Sequence, residues 1–135
     1  MFIDDRIKSL IGAEFVDGGR GPDGYDCFGL VREVYKRYGI ILPDYQIACY
    51  DVFNVTKEIE NNRPNWVKCS LENAPVPCIA AFRVSAPMVN HVGIYLGDNK
   101  FIHTREKAGA VIESLDAPAW RHRLEGLYAY KFNNS

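Results

Sequence analysis

A chain of 135 residues, 47% hydrophobic and 24% charged, has the make-up of one soluble domain able to bury a core of its own. Its formal net charge of −1, with both signs interspersed, gives no reason to expect nucleic acid or an anionic membrane as a partner. No stretch is apolar for long enough to span a bilayer, and Asp4 and Asp5 sit where a secretory signal needs basic residues before an apolar run. Synthesis in the cytoplasm without a signal peptide, and no membrane insertion, are therefore expected. The four cysteines, Cys27, Cys49, Cys69 and Cys78, show neither close pairing nor repeated metal-ligand spacing, so free thiols are expected and neither metal nor cofactor is.

In chain order, Ile3, Ile7, Leu10 and Ile11 share a helical stripe, which predicts a short helix over residues 3–11 covering a core. Gly18, Gly19, Gly21, Pro22 and Gly24 then hold a loop. From Cys27 onward, Leu30, Val31, Val34, Tyr35 and Tyr38 recur at helical spacing, and Gly39 supplies the stop. Pro43 rules out helix in an extended connection over 40–45. Asp51 can cap a second amphipathic helix over about 52–61. Strands are predicted at 66–69, 78–84, on either side of Gly97-Asp98-Asn99, at 110–113 and at 126–132, with Pro87 closing the second and a loop or short helical turn over 114–123. Helices first and antiparallel strands afterwards make an α+β domain.

Cys27 falls in the first turn of its helix, where unpaired amides and the positive end of the dipole favour a thiolate, the nucleophilic form. Asp26 beside it opposes that effect. Cys49, Cys69 and Cys78 read as packing residues. Two histidines, His91 and His103, stand near the outer ends of the strands flanking Gly97-Asp98-Asn99. A two-residue turn at Asp98-Asn99 would set His103 opposite Ile94 and send the two imidazoles to opposite faces. A three-residue turn sets His103 opposite Gly93 and puts both rings on one face, diagonal neighbours on the order of 7 Å apart. Only the second register allows His91 to serve the thiol with one ring nitrogen and His103 with the other, the geometry of an acyl-transfer site. From the residues alone, two histidines merely ending strands, or a zinc site of Cys27, His91 and His103 lacking its fourth ligand, remain open. His122, between Arg121 and Arg123, reads as solvated.

At these residues the chain resembles the NlpC-type cell-wall cysteine peptidases. The resemblance runs through Ile11-Gly12, Gly18-Gly19, the stretch from Pro22 to Val31, His91-Val92-Gly93-Ile94-Tyr95-Leu96-Gly97 and Phe101-Ile102-His103. It implies a single papain-like α+β domain over 1–135, with N-terminal helices packed on an antiparallel sheet. It further implies Cys27 as nucleophile, His91 as general base and acid, and His103 as the residue orienting His91. The substrate implied is the peptide stem of peptidoglycan, cut between D-glutamate and the diamino acid, with Asp26 holding its free amine and Tyr25 and Phe28 beside it. Phe28, Leu42-Pro43-Asp44, and Trp120 followed by arginines are most similar to the peptidase domain of bacteriophage tail-tip assembly proteins. That variant implies a tail-associated protein acting in the wall, with other tail-tip proteins as partners; the same fold kept as an assembly module, and another thiol acyl transfer such as amidase or acyltransferase work, are the alternatives. Phe28 replaces a frequent serine, Phe15 a frequent tyrosine, and Cys78-Ile79 the usual Gly-Asp.

Overall fold

The computed structural model describes residues 4–43, 66–84 and 91–131. Within them a helix, α1 (Cys27–Arg37), packs on six antiparallel strands: β1 (Trp66–Cys69), β2 (Cys78–Phe82), β3 (His91–Gly97), β4 (Lys100–Arg105), β5 (Gly109–Ser114) and β6 (Leu124–Tyr130). The strands form one sheet in the order β1-β6-β2-β3-β4-β5, the α+β arrangement expected. β2 is central and buried at every position, which is why Cys78-Ile79-Ala80-Ala81-Phe82 is apolar without alternation. It ends at Phe82, sooner than the predicted residue 84, although Arg83 still donates its amide to the Arg123 carbonyl at 2.8 Å.

Alternation along the strands divides the core between the two faces of the sheet. Ile79, Ala81, Val92, Ile94 and Ile102 meet Leu30, Val31, Val34 and Tyr35 of α1 on one face. Cys78, Ala80, Phe82, Tyr95, Phe101 and Leu127 meet Leu115 and Trp120, from the turns over 115–123, on the other. α1 begins at Asp26, whose side chain accepts the Gly29 amide at 2.7 Å, and Gly39, with φ +88°, follows its end.

Two sets of hydrogen bonds fix the direction of α1. Gly12 and Ala13 bond to Ala110 at the start of β5, Glu14 and Val16 then bond to Tyr25, and Cys27 follows two residues on. At the opposite end the Tyr35 hydroxyl donates to the Pro77 carbonyl at 3.4 Å, next to Cys78, which pairs with Tyr95. The helix therefore starts at the end of the sheet where β3 begins and β4 finishes.

Over 4–11, the described part of the predicted 3–11 helix, the helix is replaced by a single 3-10 turn, Lys8–Leu10. Ile7 and Leu10 are buried as the stripe required, but Ile11 is 41% exposed, because the backbone turns extended at Ile11 and bends at Gly12, with φ +89°, to pair with β5. The predicted helix over 52–61, Cys49, Pro87, and the last residues of the 40–45 connection and of the 126–132 strand lie outside the described residues.

The hairpin resolves the register differently from either simple turn. Asp98 and Asn99 both have positive φ, 55° and 59°, as a two-residue turn demands. Leu96 is left out of the ladder, which steps from Tyr95↔Phe101 to Gly97↔Lys100. This one-residue bulge restores the register of a three-residue loop, so Ile94 pairs with Ile102 and Gly93 lies against His103. A two-residue turn and a shared face for the histidines coexist.

Candidate active site

Cys27 opens α1 and is 1% exposed, not disulfide-bonded, and part of the apolar cluster on the α1 face. Its place depends on the glycine loop lying against the first helical turn. A Cβ on Gly29 would come within 2.1 Å of the Gly19 carbonyl oxygen, so no larger residue fits there. That carbonyl accepts the Asp26 amide at 3.1 Å and Arg20 Nη1 at 3.2 Å.

His91 is the first residue of β3, and His103 lies on β4 beside Gly93. A Cβ on Gly93 would be 3.0 Å from that of His103, so the missing side chain makes room for the pair. The rings meet at 2.8 Å, His91 Nε2 to His103 Nδ1. Sequence reasoning foresaw this contact but not the next one. His103 Nε2 lies 2.5 Å from Glu113 Oε2, on β5. Phe101 pairs with Glu113 and His103 with Val111, so Glu113 is the diagonal neighbour of His103 on the same face. The signal was present in the sequence once 109–114 was paired antiparallel with β4.

Trp120 closes this assembly. Its indole is stacked on His91 with ring centres 5.7 Å apart and is edge-on to His103 at 4.8 Å; Phe82 and Phe101 flank the two imidazoles. Burial drives the His91 pKa down to about 3, with the neighbouring His103 and the Arg105 cation acting in the same direction. Burial also lowers His103, outweighing the opposite pull of the Glu113 carboxylate. Both imidazoles are thus neutral near pH 7. They occupy the Trp120 face of the sheet, whereas Cys27 lies on the α1 face, and the two sets share the same end of the strands.

The NlpC/P60 family model matches residues 12–128. The chain belongs to the NlpC/P60 family. Among curated proteins it is similar to the murein DD-endopeptidase MepS/murein LD-carboxypeptidase of Escherichia coli K12, 28% identical over 120 residues covering 88% of this chain and 56% of that protein. It is also similar to the gamma-DL-glutamyl hydrolase of Bacillus subtilis 168, 27% identical over 125 residues, covering 90% of this chain and 27% of that one. The chain thus spans little more than half the length of the first and about a quarter of the second. Among solved structures, an NLP/P60-family protein similar to lipoprotein from Staphylococcus aureus subsp. aureus Mu50 superposes with a TM-score of 0.69 at 26% identity, covering 96% of this chain and 40% of that one. The NlpC/p60 domain of peptidoglycan hydrolase SagA shares the fold, with a TM-score of 0.64 at 21% identity, covering 92% of each chain.

Around Cys27, the other residues singled out in the sequence are gathered but enclosed. Asp26 is fully buried; its Oδ1 is taken by the Gly29 amide and by Arg20 Nη1, each at 2.7 Å, while Oδ2 has no hydrogen-bond partner among the described residues. Tyr25 and Phe28 are both 5% exposed, and the Arg20 guanidinium lies 5.7 Å from the centre of the Phe28 ring. Phe15 is half-buried and bridges Tyr25 through the backbone. A cavity of about 180 Å³ on the flank of α1 is lined by Arg20, Gly29, Arg32, Glu33, Lys36 and Leu42 among others, and includes neither histidine. His122 is exposed and Cys78 fully buried, Cys69 half so, as their surroundings in the sequence suggested.

Proposed function

We propose that this NlpC/P60 chain is a cysteine endopeptidase that hydrolyses peptide stems of peptidoglycan. The observation that carries the proposal is the hydrogen-bonded His91–His103 pair, held at the end of the sheet where α1 begins with Cys27. Family membership and the murein endopeptidase among its relatives support the substrate class.

In this mechanism the sulfur of Cys27 reaches His91 around the start of β3. His91 takes the thiol proton on Nδ1, the nitrogen not engaged with His103, and the thiolate adds to the scissile carbonyl. The oxyanion so formed is met by the amide N–H of Cys27 at the positive end of α1. His91 then passes its proton to the leaving amine as the C–N bond breaks. Water attacks the thioester, His91 accepts its proton, and the acid product leaves with the thiol restored. On the resemblance of the motifs, Asp26 is assigned to hold the free amine of a stem peptide, beside Tyr25 and Phe28. The bond is assigned between D-glutamate and the diamino acid, on the resemblance of the motifs.

The setting we infer is a bacteriophage tail tip, on Phe28 after the cysteine, Leu42-Pro43-Asp44, and Trp120 before Arg121 and Arg123. Purified muropeptides are the test. The parent protein should cut them, with product masses naming the bond, while Cys27→Ala, folded by circular dichroism, should release nothing. Equal cleavage by both would refute the mechanism, and assembly of normal particles by Cys27→Ala would separate chemistry from a purely architectural role.

A further inference from the structure

We propose that Glu113 is a positioning residue that sets the direction of the hydrogen-bond relay and so selects the nitrogen of His91 that acts as base. The catalytic consequence rests on the peptidase assignment above; the assignment of ring hydrogens does not.

The inference follows from donor and acceptor chemistry. A carboxylate only accepts, so the 2.5 Å contact with Glu113 Oε2 requires the hydrogen of neutral His103 to sit on Nε2. His103 Nδ1 is then a bare lone pair. The 2.8 Å contact with it requires His91 to donate from Nε2, which leaves His91 Nδ1 unprotonated and able to accept a proton. Without Glu113 the pair could reverse, with His103 Nδ1–H donating to His91 Nε2. His91 would then carry its hydrogen on Nδ1 and could not serve as base there. The same carboxylate stabilises the imidazolium formed in mid-reaction, through one intervening ring.

Glu113 is suited to this. It sits on β5 with its side chain 37% exposed, so it retains water on one side while His103, whose side chain is fully enclosed, cannot turn away. The register of β4 against β5 places it diagonally across from His103. Arg105 acts on both histidines but supplies no acceptor, and among the described residues Trp120 offers the pair only ring faces and edges. Among the described residues Glu113 is therefore the group that breaks the symmetry of the pair.

Ring-nitrogen NMR on the full chain tests this without reference to activity. In the parent protein His91 and His103 should both carry hydrogen on Nε2. In Glu113→Ala, and more weakly in Glu113→Gln, whose amide can still accept through its oxygen, the His91 population should move toward Nδ1–H. Muropeptide cleavage by Glu113→Ala should lose about tenfold or more in kcat with KM little changed. A parent His91 protonated on Nδ1, or ring assignments unaltered in Glu113→Ala, would overturn the proposal. Assignments that respond in a protein unable to cut muropeptides would sink the peptidase reading and leave the role of Glu113 standing.

Discussion

At the scale of single residues, the site depends on groups that are costly to bury alone and so come in partnered sets. Asp26 is fully enclosed, caps α1 and is held by Arg20 at 2.7 Å. Among the described residues, Arg20→Ala would leave that carboxylate with only the Gly29 amide, and unfolding by urea should show a loss of about 3 kcal/mol. An unchanged midpoint would mean that Arg20 contributes nothing to the buried charge. Cys27, His91 and His103 could be picked out as candidates in the sequence because each is a chemically distinctive side chain, and the fold puts Cys27 and His91 at the starts of α1 and β3 and His103 within β4. Asp26 was legible as a candidate substrate contact, and its structural work as cap and loop anchor emerged only from the fold. Glu113 and Trp120 were not singled out as site residues, since a glutamate in a strand and a tryptophan in a loop carry no local signal. Their roles depend on which strand lies beside which and on where the turns over 115–123 fold back.

Elements position these residues through register. A sequence can propose a two-residue or a three-residue turn between Leu96 and Lys100, but the structure uses a two-residue turn with a bulge, and that extra residue decides which face His103 occupies. The bulge escaped prediction because it is fixed by packing on both faces at once, with Val92 and Ile94 toward α1 and Tyr95 toward Trp120. α1 was readable almost residue for residue, since its stripe, its cap and Gly39 agree. The 3–11 helix was not, because pairing of Gly12 and Ala13 with Ala110 overrides a short amphipathic pattern. The close approach of β3 and β4 gives an element-scale prediction. Gly93→Ala would set a Cβ 2.8 Å from the Ile102 carbonyl oxygen and 3.0 Å from His103 Cβ. It should destabilise the domain by about 1–3 kcal/mol in urea unfolding and weaken cleavage further than that loss explains, by parting the two imidazoles. Stability and cleavage both at parent levels would contradict the register.

For the whole molecule, burying two neutral histidines couples folding to pH. In the unfolded chain His91 takes up a proton near its ordinary value of 6.5, whereas in the fold it does so only at about 3. Between those values the unfolded state binds more protons, so stability is fully present above about pH 6.5 and declines as pH falls toward 3. The slope from His91 is up to about 1.4 kcal/mol per pH unit, and His103, shifted the same way, adds to it. The urea midpoint should therefore drop between pH 7 and pH 5, and drop less in His91→Gln; a midpoint independent of pH over that span would contradict neutral burial. The α+β architecture and the order of its elements could be read in advance, but the two-faced core that encloses the histidines on one side and Cys27 on the other could not. The proposed chemistry therefore turns on whether that cysteine is the reactive thiol. Alkylation by iodoacetamide at neutral pH, followed by peptide mapping and muropeptide cleavage on the same samples, tests this most directly. Loss of cleavage should track modification of Cys27 one for one. Full cleavage by protein alkylated at Cys27, or inactivation that follows only Cys49, Cys69 or Cys78, would contradict it.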